Sequence, residues 1–191
     1  MKNKIIIDGF WGTGKTVAIK ALEQKFNYMV INEPDHLKSS NLVKSVDIND
    51  WYTKQHEKNQ NIFFTSGNNN TVMERSIISS IAYLHATKET VGTEIALKIF
   101  TEFKKKYLHN RVIFIFLYAN KNELSSIANN IQNVDVGSKL KDDSFIAEYE
   151  KFYREILPSE HNIYPLFINI FNETGERKST SEIINCIKIA H

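Results

Sequence analysis

Apolar positions along this chain alternate between two rhythms. Ile5-Ile6-Ile7 is an unbroken β-branched run stopped by Gly9, the pattern of a strand buried on both faces of a parallel sheet. Val17, Ile19, Leu22 and Phe26 then recur at helical spacing. Tyr28 to Ile31 reads as a second strand, ended by Asn32-Glu33-Pro34, where proline removes a ladder donor and turns Glu33 away from helix. A helix is predicted over Asn49 to Phe64, a turn-rich loop over Ser66 to Asn70, and a third strand over Thr71 to Met73 that delivers Glu74-Arg75-Ser76. Helical patterns over Ile77 to Ala86 and Thr93 to Tyr107 precede Val112 to Leu117, the most apolar run in the chain and hence an inner strand. Helices over Lys121 to Ile131 and Ser144 to Leu157, a strand over Leu166 to Ile170 and a closing helix from about Ser181 complete the pattern. Asn129 to Asp143 is the one long polar interruption.

Strands alternating with helices imply right-handed parallel crossovers, hence an α/β fold of three layers. The 191 residues fit one domain, since splitting begins above roughly 250 residues, and neither a repeat nor a linker divides residues 1–191. Composition changes this picture little. Apolar residues are 42% and charged residues 24%, as expected of a chain that buries a core. The formal net charge of +2 supplies no field that would draw nucleic acid or a membrane surface. Cys186, the single cysteine, lies within an apolar helical pattern and reads as packing rather than chemistry. No apolar stretch approaches the roughly 18 residues that cross a membrane, so a cytoplasmic location is expected.

Chemistry enters between the first strand and the first helix. Gly9-Phe10-Trp11-Gly12-Thr13-Gly14-Lys15-Thr16 satisfies G-x-x-x-x-G-K-[ST] in the strand-loop-helix context that the motif requires. Glycines at 9, 12 and 14 let backbone N–H groups, including that of Thr13, turn inward around phosphates. The helix amino end adds its positive pole, Lys15 reaches the outer phosphates, and the Thr16 hydroxyl can ligate Mg²⁺. The expected fold is therefore a three-layer α/β/α P-loop NTPase fold with a five-stranded parallel sheet. A GTPase is disfavoured: Asn120-Lys121-Asn122-Glu123 puts Glu where a base-reading Asp is needed, and no D-x-x-G element accompanies it.

Ligands of doubly wound sheets sit beyond the carboxyl ends of strands, where Glu33, Glu74 and Arg75 all fall. One carboxylate near the terminal phosphate suits a base for an attacking hydroxyl, a second can hold Mg²⁺ through water, and an arginine can bridge donor and acceptor.

The loop, Glu33-Pro34, and Glu74-Arg75-Ser76 with the following Ile77-Ile78-Ser79-Ser80-Ile81-Ala82-Tyr83 resemble the thymidylate kinase and deoxynucleoside kinase group over roughly the first 90 residues. The resemblance implies ATP and Mg²⁺ as cofactors and a small nucleoside or nucleotide acceptor. It implies Lys15, Glu33 and Arg75 as catalytic groups, with Glu33 the base, and Thr16 and Glu74 at the metal. It also implies an acceptor pocket walled by Trp51, Gln55 and Tyr83 together with Glu33 and Arg75, adenine near Arg177, and a homodimer through the helices after Glu74, a pattern that reads equally as core. Tyr52 and His56 share that walling helix, with His56 equally readable as a solvent-facing residue.

One feature departs from the group, which carries arginines in a lid after the fourth strand. Here the lid region, about residues 120–143, has none, since no arginine lies between Arg111 and Arg154. Lys139 and Lys141 would substitute, or Arg154 or a partner would supply the cation, or catalysis is feeble. The rival reading is a nucleotide-binding regulatory protein with little or no transferase activity.

Overall fold

The computed structural model describes residues 3–34, 48–67, 70–90 and 93–189. Five strands form one sheet: β1 (Lys4–Gly9), β2 (Met29–Ile31), β3 (Thr71–Glu74), β4 (Val112–Tyr118) and β5 (Leu166–Asn169). Every neighbouring pair is parallel, in the order β2-β3-β1-β4-β5. The three isoleucines of β1 are wholly buried because the strand is central and covered on both faces. Each such side chain contributes about 1.5–3 kcal/mol of burial.

The helices are α1 (Lys15–Phe26), α2 (Ile48–Thr65), α3 (Ile77–Thr87), α4 (Thr93–His109), α5 (Lys121–Asn129), α6 (Val134–Lys139), α7 (Asp143–Lys151), α8 (Leu157–His161) and α9 (Thr180–Ile189). The β1–β2 crossover runs along the sheet in the direction opposite to all the others. Right-handedness therefore puts α1 on one face, where it packs with α9, and α2, α3, α4 and α7 against one another on the other. Adjacent strands β1 and β3 thus send their chains to opposite faces, which opens a crevice above their carboxyl ends.

Two local features depart from the sequence pattern. The polar interruption contains α6, a helix too short to show an apolar stripe. It is started by the Asn133 side chain, which accepts from the N–H groups of Asp135 and Val136. The single helix expected over Ser144 to Leu157 is α7, a π-helical turn over Phe152–Ile156, and α8. A π-turn adds one residue without breaking the apolar run, so periodicity does not reveal it. Cys186 is partly buried against the core, as expected of packing. Among the described residues no helix is long and apolar enough to cross a membrane.

Candidate active site

β1 feeds directly into the loop. Gly9 has φ +135°, and a Cβ there would lie 2.0 Å from the Leu117 carbonyl oxygen on β4, so only glycine lets the two backbones approach. Gly14, with φ +88°, begins α1, whose first turn holds no acidic residue to compete with an anion. The loop is closed from within: the Thr13 hydroxyl donates to the Phe10 carbonyl at 2.7 Å, and Lys15 Nζ donates to Phe10 at 2.9 Å and Gly9 at 3.3 Å. Burial, with Arg75 nearby, lowers the Lys15 ammonium to about 8. Arg177 reaches over from beyond β5, its Nη2 donating to the Gly12 carbonyl at 2.8 Å.

Carboxylates gather at the neighbouring strand ends. Glu74, the last residue of β3, is buried and accepts from the Thr16 hydroxyl at 2.8 Å. A hydroxyl at the helix start backed by a carboxylate suits Mg²⁺, which keeps waters and phosphate oxygens and takes few protein ligands. Among the described residues no group of three or more acidic, His or Cys side chains forms a cage for a metal. The ion would instead be held jointly with the nucleotide.

Arg75 follows Glu74 with φ +59°, a left-handed conformation uncommon for a residue with a side chain. Its N–H still bonds the Ile7 carbonyl at 3.0 Å, so the ladder between β3 and β1 extends one residue while the side chain turns inward. There Nη1 donates to Asp8 Oδ1 at 3.0 Å and to the Tyr149 hydroxyl at 3.2 Å. Nε forms an ion pair with Glu33 Oε1 at 2.8 Å, and the guanidinium lies 5.0 Å from the Trp11 ring centre. Burial would raise the Glu33 carboxyl, but Arg75 and then Lys15 outweigh it and hold it below the usual range.

Asp8 is the group that motif reading passed over. It is wholly buried and accepts from the Gly9 N–H at 2.7 Å, Arg75 Nη1, the Ser79 hydroxyl and the Tyr153 hydroxyl at 2.8 Å. The signal was present, because an acid inside an isoleucine strand must be paired or expelled. Burial, followed by the Asp8 charge, raises the Tyr149 hydroxyl to about 12 and the Tyr153 hydroxyl as well, so both remain protonated. Tyr149 and Tyr153 lie four residues apart across the junction of α7 with the π-turn.

Beside this cluster lies a cavity of about 280 Å³. Glu33, Arg75 and Ser79 line it toward the loop; Trp11, Tyr52, Tyr83 and Tyr149 give it aromatic walls; His56, Asn49, Asn133 and Asp135 add polar edges. His56 is buried, stacks with Tyr52, and is held near 4 by burial against the opposing pull of Glu33.

No protein-family model matches the sequence, and no curated protein matches it. Solved structures match in architecture. YorR from Bacillus subtilis, solved in complex with phosphorylated GDP, aligns with TM-score 0.63 and 17% identity over 98% of this chain and 95% of that one. Thymidylate kinase from Ehrlichia chaffeensis aligns with TM-score 0.56 and 15% identity over 100% of this chain and 99% of that one. A gluconokinase from Sinorhizobium meliloti 1021 gives 0.52 and 12% over 96% and 87%. This is the fold of the phosphate-loop kinases. At such identities the likeness concerns architecture, and the chemistry rests on the residues themselves.

Within this kinase fold the sequence-derived residues are distributed unevenly. Gly9, Gly12, Thr13, Gly14, Lys15, Thr16, Glu33, Glu74, Arg75 and Arg177 converge on the crevice, and Tyr83 lines the cavity. Trp51 and Gln55 lie outside its lining. Tyr52 and His56, on the adjoining face of α2, line it instead, and Trp51 packs edge-on against Tyr52 at 5.0 Å. Of the cations in and beside the lid region, all but Lys141 have other engagements. Lys139 Nζ sits over the rings of Tyr83 and Phe145, Lys121 pairs with Asp143, and Arg154 pairs with Glu150 while stacking on Phe167 at 4.1 Å. Lys141 is exposed.

Proposed function

We propose that this chain is a Mg²⁺-dependent phosphotransferase that passes the γ-phosphoryl group of ATP to a nucleoside, a nucleoside monophosphate or a related small hydroxylated acceptor. The observation that carries the reading is Arg75, which is tied through Asp8 to the strand that bears the loop and paired with Glu33 at the mouth of a walled cavity. The loop amides, Lys15 and Thr16 would hold the triphosphate, and Thr16 and Glu74 would hold Mg²⁺, which would supply positive charge against the phosphates. Glu33, kept ionised by Arg75, would take the acceptor hydroxyl proton as that oxygen bonds to the γ-phosphorus and the bond to the ADP oxygen breaks. Arg177, resting on Gly12, would lie toward the base of the nucleotide. The setting would be the cytoplasm, with a homodimer as its assembly; of the two helices after Glu74 only α4 keeps an exposed face, since no residue of α3 is exposed.

The test is transfer from γ-labelled ATP to a panel of nucleosides, monophosphates and other small alcohols, with product formation expected for at least one class. A second reading draws on the lid, where every cation discussed above except exposed Lys141 is engaged away from the loop. On that reading the chain is a nucleotide-binding regulator with little or no transfer. Tight ATP binding without transfer to any acceptor would favour it.

A further inference from the structure

We infer that the acceptor is an uncharged hydroxyl compound rather than a phosphomonoester, because the cation facing it is already matched by carboxylates. The inference rests on the kinase reading above and narrows its substrate class. Arg75 is the one basic side chain among the described residues lining the cavity, apart from the neutral imidazole of His56. Its guanidinium is shared between Asp8 at 3.0 Å and Glu33 at 2.8 Å, and Asp135 adds a further carboxylate to the cavity wall. Lys15 turns its ammonium to the loop carbonyls, on the donor side, and Lys139 lies over aromatic rings. A phosphomonoester brings close to two negative charges and three strong acceptor oxygens. Nothing described in the cavity offers a second positive charge, and the Arg75 guanidinium is already offset by Asp8 and Glu33.

A neutral hydroxyl finds what it needs. Arg75 Nη2 is buried and without a hydrogen-bond partner among the described residues, so it can donate to the hydroxyl oxygen while Glu33 accepts the proton. His56 Nδ1 is buried and equally unpartnered, a neutral polar point for the body of the acceptor. The walls of Trp11, Tyr52 and Tyr83 suit a flat body, as a nucleoside has.

The experiment compares kcat/KM for nucleosides and for their 5′-monophosphates with labelled ATP, alongside calorimetric titration of both sets into protein saturated with a non-hydrolysable ATP analogue. A preference for nucleosides of about a hundredfold or more is expected. Asp135→Lys, which adds a cation to the wall, should narrow that preference by about tenfold. Equal or better transfer to monophosphates overturns the inference and leaves the kinase reading standing. If nothing is phosphorylated, the kinase reading falls and the titration still decides. Binding of nucleosides without monophosphates upholds the charge assignment, whereas binding of monophosphates, or of neither, overturns it.

Discussion

Asp8 and Arg75 meet at 3.0 Å in a setting where both side chains are almost fully shielded from water, and through that contact the strand carrying the phosphate loop is joined to the residue that follows β3. A buried charge pair contributes little net stability, but removing one partner strands the other. Asp8→Asn should therefore cost about 3–5 kcal/mol in urea unfolding, and Arg75→Met in the Asp8→Asn background should recover part of the loss. Ser79→Ala, which removes one neutral donor to the same carboxylate and the acceptor for the Ser76 N–H at the start of α3, should cost less, about 1.5–3 kcal/mol.

Gly9 and Gly67 both have positive φ, yet their surroundings differ. Alanine at 9 would put its Cβ 2.0 Å from backbone, whereas at 67 nothing among the described residues lies within 4 Å. Gly67→Ala should cost about 1–2 kcal/mol from its left-handed conformation alone. Gly9→Ala should cost distinctly more, about 4 kcal/mol or above, and be recovered mainly as insoluble protein. Equal melting temperatures for the two variants would contradict the close approach of β1 and β4.

Glu33→Gln keeps the shape of the side chain and removes its charge. On the proposed mechanism ATP affinity should change little while turnover falls by roughly a hundredfold or more. The variant also relieves Arg75 of one anion, so a monophosphate should bind it better than the native protein does. Unchanged turnover in direct labelled-phosphate assays would remove Glu33 from the base role.

Much of this was legible in the sequence because the signals are local. Three consecutive isoleucines can only be comfortable in a doubly covered strand, and a glycine-rich turn between strand and helix has one common use. Glu33 and Arg75 were legible for a topological reason, since strand ends in a parallel sheet share one edge. What stayed hidden depends on rotation and distance. Whether α2 turns Tyr52 and His56 or Trp51 and Gln55 toward the cavity is a difference of about 100° per residue, and an aromatic on an amphipathic helix reads the same either way. The role of Asp8 required knowing that Tyr153, 145 residues away, returns across a π-turn to donate to it.

His56 gives a pH signature of its own. Its folded-state value lies near 4, below the ordinary 6.5, mainly through burial, so between those values the unfolded chain binds more protons than the folded one. Its contribution to stability is complete above about 6.5 and is lost as pH falls toward 4, a change of about 2–3 kcal/mol. His56→Gln should flatten the stability profile over that window, with urea midpoints at pH 4.5 and 7 as the measurement.

Lys15 works in the same sense at the alkaline end, and there stability and function oppose each other. Burial lowers its ammonium from 10.5 to about 8, so the folded protein at neutral pH carries a charge it would rather release; stability rises with pH between about 8 and 10.5. Lys15→Met, which relieves the buried charge but gives up the contacts to the Phe10 and Gly9 carbonyls, should leave the stability of the nucleotide-free protein at pH 7 little changed while abolishing transfer. A bound triphosphate reverses the preference, since its charge favours the ammonium. ATP affinity in the native protein should then fall as pH rises from 7 to 9.5, approaching tenfold per unit once above 8, with proton uptake on binding visible as a buffer-dependent heat in calorimetry. In Lys15→Met both the steep pH dependence and the proton uptake should vanish, and their persistence would assign them to another group.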